Sequence, residues 1–130
     1  MEADSPVNSR PSSGSVVRII LAAVMIQLCL GTVYGWSVFV KPLMAANDWS
    51  QTQVTLTFSL AICFLGIGAF LIGPRADRDP RRVAILGGLL FGAGHLLAGC
   101  AVGAGSLIPL YLSYGVLGGL GMGLSYLVPI

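Results

Sequence analysis

An amide and a phenol recur on one face of a long apolar stretch near the beginning of the chain. Gln27, Gly31 and Tyr34 stand at positions i, i+4 and i+7, which is the spacing of side chains along one face of an α-helix. In an apolar environment the donors of Gln27 and Tyr34 need partners, because an unmatched polar group is costly there. This face therefore predicts either hydrogen bonds to a neighbouring helix or the lining of a wet cavity, and both alternatives stay open.

His95 lies in another apolar stretch and is a type of side chain that can exchange a proton near neutral pH. Aspartate, glutamate, lysine and arginine are absent from the apolar stretches, which are residues 19–40, 53–72, 83–102 and 107–130. An embedded ionisable residue is the usual marker of an ion path or a proton relay. Apart from His95, which could titrate, bind a substrate or simply pack through a hydrogen bond, the stretches contain no proton carrier.

Each of the four stretches is long enough to cross a bilayer. An α-helix rises 1.5 Å per residue, so that about 20 residues match a hydrocarbon core about 30 Å thick. Lys41 and Pro42 are expected to end the first span, and Asp48 or Ser50 to cap the second. A glycine-rich break at 103–106 separates the third span from the fourth. The predicted fold class is an all-α membrane protein with four transmembrane helices.

The composition agrees with this fold class. Hydrophobic residues make up 55% of the chain and charged residues only 9%, which excludes an ordinary soluble domain. Residues 1–15 are rich in serine and proline and poor in apolar side chains, which is typical of a disordered segment. We therefore interpret 1–15 as a disordered cytoplasmic tail and 16–130 as the transmembrane four-helix segment.

No pattern in the chain predicts catalysis or a cofactor. Cys29, Cys63 and Cys100 lie in three different apolar stretches, and neither their odd number nor their spacing suits a metal site or a disulfide framework. The formal net charge of +2 is too small to suggest binding to nucleic acid. We predict no enzymatic activity, no catalytic residue, no cofactor, no metal and no nucleic-acid partner.

Residues 73–82 concentrate charge between the second and third spans. Four arginines and two aspartates fall within this segment, which therefore belongs at a membrane surface. If the four spans alternate in direction, Arg10, Arg18 and these loop arginines lie on one side and Lys41 lies alone on the other. Because positive charge prefers the cytoplasmic side, this predicts a multi-pass plasma-membrane protein with both ends in the cytoplasm.

The fourth span is rich in glycine. Gly115, Gly119 and Gly123 follow one another at steps of four residues, an arrangement that lets two helix backbones touch. Tyr126 lies on the flank of the same face. A phosphate-binding glycine loop is excluded, because no strand precedes these residues and an apolar span cannot present its amides to a phosphate.

The charged segment resembles the loop signature of the major facilitator superfamily, Gly-x-x-x-Asp-Arg/Lys-x-Gly-Arg/Lys-Arg/Lys, which joins that family's second and third helices. The matching positions are Gly73, Asp77, Arg78, Arg81 and Arg82. The chain departs from the signature at Pro80, where the signature has glycine. The resemblance implies a gating loop whose aspartate works against a helix of the carrier's second half and holds the cytoplasmic side shut.

Further segments are similar to the oxalate/formate antiporter family of that superfamily. These segments are Gly31–Phe39, Lys41–Leu43, Trp49–Ser50 and Gly119–Tyr126. In that family aromatic residues of the first and fourth helices help to enclose a small mono- or dicarboxylate. By motif position the resemblance implies Tyr34 and Tyr126 as substrate-binding residues, with Gln27 a weaker candidate. The neighbouring monocarboxylate porters have an acidic residue before a similar Gly-Trp element, and this chain has none.

The superfamily resemblance implies two six-helix halves that rock around a site at the middle of the membrane. This chain would correspond to the first four of twelve helices, and the cations that pair with substrate carboxylates would lie in the missing carboxy-terminal helices. We expect the amino-terminal portion of a secondary transporter for small organic anions, embedded in the lipid bilayer and unable to complete a transport cycle alone.

Two other functions compete with transport by such a carrier. A small four-span multidrug exporter depends on a membrane-embedded carboxylate, and the predicted spans contain none. A non-transporting four-span scaffold or interaction protein stays open, because glycine-lined helices also suit static packing.

Overall fold

The computed structural model describes residues 12–128; most of the predicted tail (1–11) and the final residues 129–130 lie outside the described residues. Four helices make up nearly all of the described chain, and no strand occurs in it. They are α1 (Ser13–Asn47), α2 (Gln51–Ala76), α3 (Pro80–Gly103) and α4 (Leu107–Tyr126). Each is long and apolar enough to cross a membrane. The predicted all-α fold with four helices of membrane-spanning length is confirmed.

Helix α1 is longer than the predicted first span at both of its ends. It begins at Ser13, inside the segment expected to be a disordered tail, and it continues through Lys41 and Pro42 to Asn47. The expectation that Lys41 and Pro42 end this span is therefore wrong. Proline removes one helix hydrogen bond, but unwinding the chain there would leave several backbone groups unpaired in apolar surroundings. The helix ends instead at Asn47, and Asp48 directly after it has a left-handed φ of 54°.

Ser50 is the N-cap of α2, so that of the two predicted cap residues, Asp48 and Ser50, the second is confirmed. The Gln53 amide donates to Ser50 Oγ at 3.3 Å, and the Ser50 amide donates to Gln53 Oε1 at 2.9 Å. These reciprocal bonds satisfy two backbone donors that an α-helix start leaves without partners. Helix α2 thus begins at Gln51, only a few residues after the end of α1 at Asn47.

The charged segment is mostly helical. Helix α2 continues to Ala76 and α3 begins at Pro80, so that only Asp77–Asp79 connects them. The Asp79 carboxylate caps α3 by accepting a hydrogen bond from the Arg82 amide at 3.3 Å. Both helices therefore extend beyond the predicted spans, 53–72 and 83–102, toward the loop. Helix α3 can begin at Pro80 because proline fits the first helical turn and Asp79 supplies the cap.

Helix α4 is the buried centre of the bundle and packs between α2 and α3. Along its apolar stretch 56% of the residues are buried, against 11% for α1. A Cβ atom added at Gly119 would lie only 2.6 Å from the Ala61 carbonyl oxygen of α2, and one added at Gly94 of α3 would lie 2.7 Å from the Gly118 amide. Glycine at these positions thus lets α4 touch both neighbours with its backbone.

The first half of α4 is not a regular α-helix. Residues Tyr111–Gly118 form a π-helical segment between the α-helical pieces Leu107–Leu110 and Gly119–Tyr126. Ser113 Oγ donates to the Pro109 carbonyl at 2.6 Å and so satisfies one backbone acceptor near the start of this segment. The wider turn changes which side chains share a face, and Ser113, Tyr114, Gly115 and Gly118 are all buried.

Candidate functional site

A cavity of about 540 Å³ lies between α1 and α2. Polar side chains from both helices reach it, and apolar side chains form the rest of its wall. The polar lining residues are Tyr34, Ser37, Lys41, Gln51 and Thr55, and the others are Trp36, Val40, Met44 and Phe58. A concave, largely apolar site with a few polar groups is the usual form of a small-molecule binding site. We call it the α1–α2 cavity.

A second cavity of about 360 Å³ lies where α1, α3 and α4 meet. It is lined mainly by apolar side chains, and its polar groups come from Thr32, His95 and Tyr114. Trp36 lines both cavities, since its indole ring lies on α1 between them. We call this second space the α1–α3–α4 cavity.

Four aromatic rings connect α1 to α3 and α4, and we call them the aromatic cluster: Trp36, Phe91, His95 and Tyr114. The ring centroids of Trp36 and Tyr114 are 4.5 Å apart, those of Tyr114 and His95 are 5.1 Å apart, and those of His95 and Phe91 are 4.2 Å apart. Tilted pairs at such distances contribute about 0.5–1.5 kcal/mol each beyond the area they bury. Through the Trp36–Tyr114 pair, the cluster is one of the contacts that position α1.

His95 combines a packing role with an exposed edge in the α1–α3–α4 cavity. Its Nδ1 lies 2.9 Å from the Phe91 carbonyl oxygen. A carbonyl only accepts hydrogen bonds, so His95 Nδ1 is the donor in this contact. The packing alternative for His95 thus has a defined partner.

Trp36 holds a buried donor that lacks a partner. Its side chain is 7% exposed, and within residues 12–128 neither its Nε1 nor the buried Thr57 Oγ1 has a hydrogen-bond partner. Leaving a buried donor unpaired costs about 1–3 kcal/mol.

The predicted substrate-binding residues are separated in this arrangement. Tyr34 lines the α1–α2 cavity and is 64% exposed, whereas Tyr126 is the last residue of α4. Helices α1 and α4 run antiparallel, since Leu30 packs with Met122 while Trp36 stacks on Tyr114. This register puts Tyr34 and Tyr126 about 13 Å apart along the helix axes, at 1.5 Å per residue.

Gln27, the weaker candidate, lies on the exposed side of α1. Among the side-chain hydrogen bonds of residues 12–128, none involves Gln27 or Tyr34. The first alternative for this face, hydrogen bonding to a neighbouring helix, is therefore not observed among the described helices. The structure does bring Tyr34, but not Gln27, to the α1–α2 cavity.

In the charged loop the two aspartates have different environments. Asp79 pairs with Arg82, with 3.0 Å between Oδ2 and Nε, whereas Asp77 is exposed and forms no ion pair with another residue of the described chain. Gly73 lies in the last turns of α2, near Leu127 at the end of α4. Arg78 and Arg81 are exposed. The carboxylate of Asp77 is therefore open to a partner.

Sequence reasoning did not single out Tyr114, the residue at the centre of the aromatic cluster. It precedes the glycine face by one position, and Gly118 and Gly121 follow it at i+4 and i+7, so that it shares the face turned toward α3. That spacing is a signal for burial. Its contact with Trp36 depends on the position of α1, for which the sequence contains no comparable pattern.

The chain is similar to an uncharacterized MFS-type transporter, YhjX, of Escherichia coli strain K12. The two are 34% identical over 112 residues, which is 85% of this chain and 27% of the relative. The chain thus spans about a quarter of the length of the curated relative it matches. No protein-family model and no solved structure matches it. With its four helices of membrane-spanning length, this homology supports membership of the chain in the major facilitator superfamily.

Proposed function

We propose that this chain is part of a secondary active transporter that moves small organic anions across the plasma membrane by alternating access. The observation that carries the proposal is the similarity to an MFS-type transporter over 85% of the chain. The four apolar helices agree with a multi-pass carrier. A non-transporting scaffold is not favoured by a relative that is a transporter.

The proposed substrates are mono- or dicarboxylates such as oxalate and formate. The resemblance of the segments around Tyr34 and Tyr126 to the oxalate/formate antiporters supports this class. Tyr34 is the stronger candidate for substrate contact, because it lines a cavity. Contact of Tyr126 or Gln27 with the same anion requires either a rearrangement of α1 against α4 or helices outside this chain.

The proposed carrier is longer than this chain, and its carboxy-terminal helices would be the main partner of the four helices. The chain covers 27% of its relative, somewhat less than the third that four helices of a twelve-helix carrier would make up. The gating loop (Gly73, Asp77, Arg78, Arg81 and Arg82) would face those helices on the cytoplasmic side. Its clustered arginines support the proposed orientation with both ends in the cytoplasm.

The transport proposal is tested by reconstitution into lipid vesicles. Vesicles with the full-length carrier, preloaded with formate, should take up labelled oxalate saturably, whereas vesicles with the 130-residue chain should not. Saturable uptake by the chain alone would refute its dependence on further helices. A full-length carrier that exchanges no small carboxylate would refute the substrate class.

The gating proposal is tested by Asp77→Asn in the full-length carrier, with Asp79→Asn as the matched control. If Asp77 closes the cytoplasmic side, its replacement should change the transport rate at least about tenfold, the effect of about 1.4 kcal/mol, at near-normal abundance. Asp79→Asn keeps a capping side chain for α3 and should change the rate much less. Equal, small effects of both would contradict a gate at Asp77.

A further inference from the structure

Lys41 lies inside a helix that was expected to end there. Helix α1 continues beyond it to Asn47, and Lys41 is about 8 Å from Trp36 along the axis, at 1.5 Å per residue. Trp36 in turn stacks on Tyr114 in the interior of α4. Lys41 is exposed and directly follows the apolar stretch 19–40, so its ammonium group lies at the end of the predicted span, where water or a counter-charge can reach it.

The side chains around Lys41 are matched to an anion. Tyr34, Ser37 and Lys41 lie along one side of α1, and Gln51 and Thr55 lie one turn apart on α2, all lining the α1–α2 cavity. They offer an ammonium group, three hydroxyl groups and an amide. No aspartate or glutamate is among the lining residues, and within residues 12–128 Lys41 takes part in no ion pair.

Trp36 forms part of the apolar wall, with its indole Nε1 buried beneath the cavity surface. The cavity thus contains hydrogen-bond donors from both helices and one positive charge, and no carboxylate of the described chain pairs with that charge.

We propose that the α1–α2 cavity is an anion-binding vestibule, in which Lys41 holds a small carboxylate on its way into the carrier. The inference rests on the proposed function for the choice of carboxylate as the anion. At about 540 Å³ the cavity is larger than oxalate and admits the anion with bound water, which suits capture more than tight binding. The same cation could instead reach the phosphate of a lipid headgroup, and the experiment below separates these two sources.

Chemical labelling tests binding without requiring transport. Lys41 is the single lysine of the sequence, so that an amine-acylating reagent has only it and the chain's α-amino group as targets. In phosphatidylcholine vesicles, oxalate at twice its dissociation constant should slow acylation of Lys41 about threefold. Oxamide, its neutral counterpart, should have no effect. The α-amino group serves as the internal control for changes in ionic strength.

Three labelling results would overturn the vestibule. One is the absence of protection by oxalate, formate or any other small carboxylate. Another is a Lys41 that stays unreactive without oxalate in phosphatidylcholine, since a water-filled cavity exposes the amine. The third is protection that appears only in phosphatidylglycerol vesicles and does not depend on oxalate, which would assign Lys41 to lipid phosphate.

Transport kinetics provide the second measurement, in the full-length carrier. Lys41→Gln should raise the KM for oxalate about tenfold, equivalent to about 1.4 kcal/mol, with the maximal rate within about twofold. Lys41→Arg should restore most of the affinity, and Arg18→Gln, at the other end of α1, should leave KM unchanged. If the parent carries oxalate and Lys41→Gln keeps its KM, the vestibule is wrong although the proposed function holds. If the parent carries no carboxylate, the proposed function fails, and labelling in the presence of phosphate or chloride decides whether Lys41 binds an anion.

Discussion

Helices α1 and α4 are both long and apolar enough to cross a membrane, yet they are held in opposite ways. Helix α4 has small residues on the faces toward α2 and α3, and its backbone touches both. Helix α1 instead presents large apolar side chains to its surroundings; Leu21 and Leu28, for example, are 59% and 65% exposed. Exposed leucine is not penalised in lipid, so hydropathy alone does not distinguish a packed helix from a loosely attached one.

The difference has a consequence for movement of α1 in the proposed carrier. Helix α1 contacts α4 chiefly through two places, the packing of Leu30 and Val33 with Met122 and the stacking of Trp36 on Tyr114. Because few contacts must be exchanged when α1 moves, its displacement is cheaper than a displacement of α4. The two cavities also lie beside α1. The rigid and the movable parts of the proposed site are thus separate helices.

The largest effect is expected where α4 touches α2. In Gly119→Ala the new methyl group would meet the Ala61 carbonyl at 2.6 Å, and overpacking of this kind costs about 1–3 kcal/mol. The matched control is Gly92→Ala in α3, where an added Cβ has no atom within 4 Å. There alanine should be neutral or stabilising by about 0.5–1 kcal/mol, because it is the better helix former. Denaturation in mixed micelles, followed by helical circular dichroism, measures both.

A loss of stability in Gly92→Ala equal to that in Gly119→Ala would contradict the description of α4 as the tightly packed helix. It would show that the two glycines differ less in their surroundings than the structure indicates.

A smaller and more local effect is expected at the contact between α1 and α4. Trp36→Ala removes the stacking between α1 and α4, worth about 1 kcal/mol. Amide hydrogen exchange should therefore speed up in α1 and stay unchanged in α4. Phe39→Ala, which removes a ring that is 55% exposed, is the control and should have less effect. Faster exchange throughout α4 would show that the two helices unfold as one unit.

The smallest effect on stability is expected at the exposed face of α1. Tyr34→Phe removes a hydroxyl that has no hydrogen-bond partner among residues 12–128, so the free energy of unfolding should stay within about 0.5 kcal/mol of the parent. Micelle denaturation checks this. In the full-length carrier the same variant should raise the KM for oxalate if Tyr34 contacts the anion. A destabilisation above about 1 kcal/mol would instead indicate a structural partner for this hydroxyl.

The number of helices, their turns and the glycine face of α4 were predictable because they depend on local patterns. Apolar length defines a span, Ser50 was one of the two predicted cap residues, and glycines four residues apart mark a close approach. The end of α1 was not predictable in this way. The stop signal at Pro42 is also local, but it is outweighed by the cost of unpaired backbone in apolar surroundings.

The amino-acid sequence by itself determined that this chain forms helices of membrane-spanning length, where its charge is concentrated and which face of α4 admits a neighbour. Only the tertiary structure decided that Trp36 meets Tyr114, that Tyr34 and Tyr126 lie apart, and that Lys41 lines a cavity. The physical reason is that those contacts join residues far apart in the chain through the position of α1. Few specific contacts define that position. In lipid the hydrophobic effect does not add to these contacts, because lipid tails are as apolar as the side chains.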